Sequence, residues 1–226
     1  MTADPVALAA TTDPQHLEVN PAVVPTVVAV RAGGHPTFDR VVIEFDGERP
    51  GYDVRYVPEV VQDPSGEPLP LRGRAFLQAS VFPASTFSDE GPPGTLPVPS
   101  VAGLATLRQI AEAGDFEAVV TLGIGVAART PFLVRQFSGP SRIAIDITHT
   151  PPGTGSQLLR RGDRGAAVAT WQWRLHLALN RALAVDEIFG PATEDATRDF
   201  QRSRGLAADG IVGPLTRAAM EQALGI

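Results

Sequence analysis

The sequence contains no cysteine and no lysine among its 226 residues. The absence of cysteine excludes disulfide bonds, thiolate metal sites and every enzyme mechanism that uses a cysteine nucleophile. All 19 basic residues are arginines, and they stand against 25 acidic residues. The resulting net charge of −6 argues against a dominant electrostatic attraction to nucleic acid or to an anionic membrane.

The sequence also lacks a long hydrophobic run. No stretch approaches the roughly 20 apolar residues that a membrane-spanning helix needs. Residues 1–12 have neither the basic start nor the long apolar stretch of a secretory signal. We therefore expect no membrane span, and an export signal is not visible in this chain.

Residues that could perform catalysis are scarce. The four histidines (His16, His35, His149 and His176) do not follow any spacing that is typical of a metal site. Neighbouring acidic residues such as Glu194 and Asp195 are typical of a solvated surface. We therefore predict no catalytic residue, no metal and no cofactor, and we expect a binding protein rather than an enzyme.

Composition changes sharply near residue 155. Of the 21 prolines, 19 lie in residues 1–155, and this part carries 10 arginines against 17 acidic residues. Residues 156–226 carry 9 arginines against 8 acidic residues. The change predicts two domains and a linker. The boundaries we predict are a flexible segment at 1–24, a first domain at 25–150, a linker at 151–157 and a second domain at 158–226.

The first domain is predicted to consist of β-strands. Seven short β-branched runs alternate with glycine and proline turns, and in one of them Val41, Ile43 and Phe45 would share one face. Ile143, Ile145 and Ile147 repeat this alternation. The pattern favours an antiparallel sandwich or an open barrel. Residues 87–100 are too rich in proline for a strand or a helix and are predicted to form a surface loop.

The second domain is predicted to contain three short helices and an internal repeat. Its apolar residues recur with a period near 3.6, and Pro191 and Pro214 each follow a glycine at a predicted helix start. Residues 186–196 align with residues 209–219 at an offset of 23, which indicates a duplicated loop-to-helix unit. Asp186 and Asp209 are predicted to hold the two turns.

The second domain closely resembles the peptidoglycan-binding domain of bacterial cell-wall hydrolases, a small three-helix fold. The segments that match the motifs of this family are residues 159–162, 168–172, 186–193, 200–201 and 209–216. The sequence departs from the family pattern at two places. Glu187 replaces the usual glycine of the first Asp-Gly pair, and the loop after the first helix lacks the usual Leu-Gly pair.

Residues 25–150 resemble the AMIN-like domains of actinobacterial surface proteins, which are relatives of a domain that targets some amidases to the cell wall. The segments that carry the resemblance are residues 35–47, 50–57 and 114–147. The resemblance implies a β-sandwich. The fold class we predict is therefore α+β with segregated domains, an antiparallel sandwich followed by three helices.

The resemblance implies that the second domain binds peptidoglycan, through its glycan strand, its stem peptide or both. We expect Trp173 to contact sugar faces, because it lies about 200° around its helix from the core residue Trp171 and shares a face with His176. The alternative is that Trp173 packs against the first domain or the linker. The other predicted contact residues are His176 on the same face as Trp173, Arg161, Arg164, Arg202 and Arg204, which suit carboxylates, and Phe189 and Val212, which line either the groove or the core.

These expectations together favour a non-catalytic protein that anchors or targets to the bacterial cell wall, with possible protein partners on its first domain. Two alternatives remain open. One is a structural part of a phage-tail-like injection particle, assembled in the cytoplasm. The other is an accessory part of a cell-wall hydrolase.

Overall fold

The structure is a computed structural model that describes residues 9–87, 96–153 and 156–226. In this part of the chain, nine strands precede three helices, so the protein is α+β with segregated elements. The strands are β1 (Gln15–Leu17), β2 (Thr26–Gly34), β3 (Phe38–Asp46), β4 (Gly51–Val57), β5 (Ala75–Phe82), β6 (Leu107–Phe116), β7 (Val119–Val126), β8 (Phe132–Phe137) and β9 (Ser141–Thr148). The helices are α1 (Ala166–Leu179), α2 (Pro191–Ser203) and α3 (Pro214–Leu224).

The strands form two antiparallel sheets that pack face to face. One sheet has the order β1-β4-β5-β7-β6 and the other the order β2-β3-β9-β8. A single hydrophobic cluster fills the space between them and draws residues from both sheets. The predicted alternation is confirmed, because Val41, Ile43, Phe45 and the three isoleucines of β9 are all buried in this cluster. The region is a β-sandwich.

Strand β6 is one that the sequence did not predict. Its buried residues Leu107, Ile110 and Ala113 recur every third position instead of every second. The cause is two irregularities in its pairing with β7, between 107 and 109 and between 112 and 114. Each bulge shifts the side chains by one position, so the strand loses the alternation by which strands are recognised.

The segment predicted to be flexible, residues 1–24, is ordered in part. Gln15–Leu17 form β1, which pairs with β4, and Thr11 forms an isolated bridge with Phe132 of β8. Partners on two other strands hold this segment in place, and a periodicity analysis of the segment alone does not reveal them. Residues 88–95, most of the loop predicted over 87–100, lie outside the described residues.

The outer face of β7 is covered by the chain that leads into β5. A Cβ atom at Gly125 would overlap the carbonyl oxygen of Arg72, and one at Gly123 would lie 2.8 Å from the side chain of Leu69. Only glycine permits the approach of the backbone at Gly125, whereas a Cβ atom at Gly123 would require the leucine side chains to shift. The Gly-Ile-Gly sequence therefore serves the packing of residues 69–72 across the sheet.

Two of the three helices begin where the sequence predicts. Helices α2 and α3 start at Pro191 and Pro214, where the missing N–H group needs no partner. The helices enclose a second core that contains Trp171, Phe200 and Met220. Within the described residues, no helix is both long and apolar enough to cross a membrane.

Candidate functional site

The first copy of the repeated unit is organised by Gln172, a buried residue of α1. Its amide nitrogen donates to Asp186 Oδ1 at 2.8 Å, to the carbonyl oxygen of Ile188 at 2.9 Å and to Thr193 Oγ1 at 3.0 Å. Its amide oxygen accepts from the backbone N–H groups of Asp186 and Glu187. The side chain of one helix thus fixes the loop that starts the next helix.

The second copy repeats this arrangement around Gln201 of α2. The amide nitrogen of Gln201 donates to Asp209 Oδ1 at 2.8 Å, to the carbonyl oxygen of Ile211 at 2.9 Å and to Thr216 Oγ1 at 3.2 Å. Its amide oxygen accepts from the backbone N–H of Gly210 at 2.9 Å. Asp186 and Asp209 also accept the N–H groups of Ile188 and Ile211, which confirms that the two aspartates hold turns.

An open groove of about 270 Å³ lies beside the second loop, and we call it the α3 groove. Its lining is mostly apolar and consists of Leu158, Gln201, Leu206, Ala207, Asp209, Ile211, Gly213, Pro214, Leu215 and Thr216. Leu215 is 76% exposed, the largest exposed fraction of any large apolar side chain in the described residues. The groove therefore offers an apolar surface to a ligand.

The apolar residues of the α3 groove were not among the contacts predicted from the sequence. The motifs of the peptidoglycan-binding family draw attention to residues that prove to be buried, such as Gln201 and Thr216. The signal that could have found the groove is a difference between the two copies of the repeat. The second copy has Leu215 where the first copy has Ala192, so the two loops differ where the groove is apolar.

The four predicted arginine contacts are all exposed, but they do not lie together as one cluster of free charges. Arg161 is 3.4 Å from Glu194, and Arg202 is 2.8 Å from Asp199. Arg204 lies over the ring of Phe200, with 5.5 Å to the ring centroid. Arg202 lies in the last turn of α2 and Arg204 follows the helix, a few residues before Leu206 of the α3 groove, whereas Arg164 precedes α1.

Two predicted contact residues, Phe189 and Val212, belong to the core instead of to a ligand surface. Both are completely buried in the helical cluster. Phe189 follows the first turn and Val212 the second, and in each copy this residue points inward between the helices. Because no part of either side chain reaches the surface, the structure corrects this part of the predicted site.

Trp173 packs against the sandwich, which is the alternative that the sequence left open. Its indole N–H donates to the carbonyl oxygen of His35 at 2.8 Å, and a Cβ atom at Gly34 would lie 2.5 Å from its ring. Its ring stacks on His176 with the centroids 5.3 Å apart. Burial lowers the pKa of His35, and the nearby charge of Arg40 lowers it further. This interface is therefore occupied by packed rings.

A second contact between the helices and the sandwich is made by Glu187. Its carboxylate accepts from Nε and Nη2 of Arg108 at 2.8 and 2.6 Å, and Arg74 lies 3.6 Å away. Glu187 has a φ of 64°, the left-handed conformation that favours glycine. Its counterpart in the second repeat is Gly210, with a φ of 77°. Glu187, the residue that departs from the family pattern, is therefore one that binds the sandwich.

The buried acidic residues of the sandwich serve its structure. Asp39 is fully buried, lies 2.9 Å from Nε2 of His149 and accepts two backbone N–H groups at the start of β6. Asp146, also buried, pairs with Arg40 and Arg135. The His149 side chain is only 1% exposed, so a polymer cannot reach this pair. Among the described residues, no group of three or more histidines and acids could hold a metal ion.

Comparison with protein families identifies both parts of the chain. Residues 25–149, more than half of the sequence, match the family model of the AMIN-like domain. The chain belongs to the AMIN-like domain family. Beyond the AMIN-like domain, residues 164–220 match the family model described as "Putative peptidoglycan binding domain". Both predicted resemblances are confirmed, and the α3 groove lies almost entirely within the second match.

Several solved structures share sequence with parts of this AMIN-like protein. The N-terminal domain of SleB is 33% identical, with 32% of this chain and 99% of that chain covered and a TM-score of 0.30. The Burkholderia AP3 phage endolysin is 46% identical, with 29% of this chain and 25% of that chain covered and a TM-score of 0.28. A peptidoglycan-binding protein from Clostridioides difficile, solved in complex with glutamine hydroxamate, is 27% identical, with 48% of this chain and 63% of that chain covered and a TM-score of 0.31. No curated protein matches the chain.

Proposed function

We propose that this protein binds peptidoglycan without cleaving it and thereby anchors or targets to the bacterial cell wall. The observation that carries the proposal is the α3 groove, an exposed apolar surface built by the repeated unit inside the region that matches the peptidoglycan-binding family. The domain boundaries that we propose are 25–150 for the sandwich and 158–226 for the helical domain, with residues 151–157 as the linker.

The chemistry of the α3 groove suits a stem peptide. Leu215 and Ile211 offer apolar surface for small side chains such as those of alanine. Arg204, exposed after the end of α2, supplies positive charge for a carboxylate of the same peptide, and its neighbour Arg202 is paired with Asp199. The Gln201 network keeps the loop in a single conformation, so little ordering cost remains when a ligand binds.

Three observations support a non-catalytic role. The sequence has no cysteine, so a thiol nucleophile is excluded. The histidine that lies beside a buried carboxylate, His149, is closed off from solvent. The carboxylates of Asp186 and Asp209 are both committed to holding turns. The proposed location is the cell wall.

Co-sedimentation with purified sacculi tests the proposal. Leu215→Ala gives the groove the residue found in the first repeat, and covering the exposed leucine is worth about 1.5 kcal/mol, so we expect about tenfold weaker binding. The matched control is Val23→Ala, which removes an equally exposed apolar side chain (74%) on the sandwich. Equal sedimentation of the two variants would exclude the α3 groove as the binding site. If the native chain does not sediment with sacculi at moderate salt, wall binding is excluded.

The non-catalytic part of the proposal needs its own assay. Sacculi labelled with a covalent dye are incubated with the native chain, and released dye is measured over several hours with a known lysozyme as positive control. We expect release at the level of buffer alone. Sustained release above that level would show that the chain cleaves the wall.

A further inference from the structure

The contact between the two domains creates a cleft that neither domain has alone. Residues 182–185, after α1, and residues 102–104 of the sandwich line the same pair of neighbouring cavities. The two cavities share Ala102, Gly103, Leu104 and Val185 as lining residues and have volumes of about 490 and 470 Å³. An extended ligand that passes from one cavity to the other over these shared residues would contact both domains.

The larger cavity, which we call the basic lobe, carries a positive charge that is free to act. Arg72 lines it, and its guanidinium forms no ion pair with any acidic residue in the described part of the chain. The backbone N–H of Arg72 donates to Gln109 Oε1 at 3.0 Å, which fixes the base of the side chain. Arg108 lines the same lobe, but its guanidinium is bound to Glu187 and to three backbone carbonyl oxygens. Arg72 is therefore the group that can receive an anion.

The smaller cavity, which we call the apolar lobe, has a rigid aromatic wall. Trp173 and His176 line it together with small or aliphatic residues, namely Ala102, Gly103, Leu104, Ala182, Leu183, Ala184 and Val185. The bond from the Trp173 indole to the His35 carbonyl oxygen holds the ring in place before any ligand arrives. Small apolar groups fit this lobe, and its few polar groups do not suit a second charge.

We propose that the cleft between the domains binds a peptidoglycan stem peptide, with a carboxylate at Arg72 in the basic lobe and a small apolar side chain in the apolar lobe. This proposal rests on the proposed function, because a stem peptide is the component of the wall that carries both groups. The cleft differs from the α3 groove because residues of both domains line it. The charge of the basic lobe favours the anionic peptide over the glycan.

Isothermal titration of the full chain with a soluble stem tetrapeptide tests the proposal, with the same peptide carrying amidated carboxylates as the second ligand. We expect Arg72→Gln to weaken binding of the free peptide about fivefold and to leave binding of the amidated peptide unchanged. Ala184→Phe fills the apolar lobe and should weaken both peptides. The matched controls are Arg49→Gln and Ala22→Phe, which alter exposed residues of the sandwich away from the cleft.

Four outcomes would overturn the proposal. They are equal binding by Arg72→Gln and Arg49→Gln, native affinity in Ala184→Phe, no measurable binding of the native chain to the free peptide, and equal affinity for an unrelated acidic tetrapeptide. All the altered residues are exposed, and unchanged thermal unfolding confirms that the variants fold. If sacculi bind the native chain through Leu215 while the cleft variants behave as controls, this proposal fails and the proposed function stands. If the native chain does not sediment with sacculi at all, the proposed function fails.

Discussion

Replacing Glu187 with glycine sets two effects of the same residue against each other. Glycine relieves the left-handed backbone conformation, which costs a residue with a side chain about 1 kcal/mol. The substitution also removes the bidentate ion pair with Arg108, whose side chain is 20% exposed while that of Glu187 is 23% exposed. Charge-assisted bonds of this kind contribute about 1.5–3 kcal/mol when they are mostly buried. We therefore expect Glu187→Gly to lower the free energy of unfolding by about 1 kcal/mol.

The sign of this effect should reverse when Arg108 is absent. In an Arg108→Ala background, Glu187 keeps only Arg74, which is 67% exposed and 3.6 Å away. Such an exposed pair contributes little. The relief of backbone conformation then dominates, and Glu187→Gly should raise the free energy of unfolding by up to about 1 kcal/mol.

Urea denaturation of the four proteins, native, two single variants and the double variant, measures both effects in one cycle. Tryptophan fluorescence follows the transition, because Trp173 lies at the domain interface and Trp171 lies in the helical core. A change of the same sign and size in both backgrounds would refute the reasoning, because it would mean that Glu187 and Arg108 are not coupled.

Substitutions at two further positions, Gln201 and Trp173, test other parts of the structure. Gln201→Met should lower the free energy of unfolding by about 2–3 kcal/mol, because the N–H of Gly210 and the carbonyl oxygen of Ile211 lose their buried partner. Thermal or urea unfolding measures this change, with Gln222→Met, at an exposed position, as the control. Equal stability of the two variants would contradict the stabilising role of the Gln201 hydrogen bonds. Trp173→Ala should cost about 2 kcal/mol through lost packing and the lost bond to His35. Trp173→Phe keeps most of the packing and should recover about half of that loss, whereas native stability of Trp173→Ala would place the ring in solvent.

The strands that could be predicted from the sequence are those with uninterrupted pairing. In β3 and β9 every second residue faces the core, so the alternation survives in the sequence. In β6 the bulges place Leu107, Ile110 and Ala113 three apart, and this spacing also resembles one face of a helix. Local periodicity carries no information about a bulge, because a bulge is a property of two paired strands.

The helical domain was predictable because its signals are local. Proline at the first helical position and aspartate at a turn act within a few residues, and the repeat shows each signal twice. The role of Gln172 and Gln201 was not predictable in the same way. The aspartates that they bind lie 14 and 8 residues further along the chain, and only the packing of the helices brings them together.

The candidate binding surface is the part that the sequence defines least. The helical spacing shows that Trp173 faces away from Trp171, but it does not show whether solvent or another domain lies on that side. Likewise, an apolar residue after a turn, such as Phe189, fits both a core and a groove. The departure at Glu187 was visible in the sequence, and its meaning became clear only with Arg108 beside it.

The amino-terminal segment covers the edge strand of one sheet of the sandwich. Strand β8 is the last strand of its sheet, and Thr11 exchanges two backbone hydrogen bonds with Phe132 on its outer side. The side-chain amide of Gln15 continues the row by donating to the carbonyl oxygen of Phe132 and accepting from the N–H of Val134. A shortened protein that starts after β1 would leave these groups available to a strand of a neighbouring molecule. Self-association of such a truncated protein would therefore result from the exposed edge of β8 and would not indicate a native oligomer.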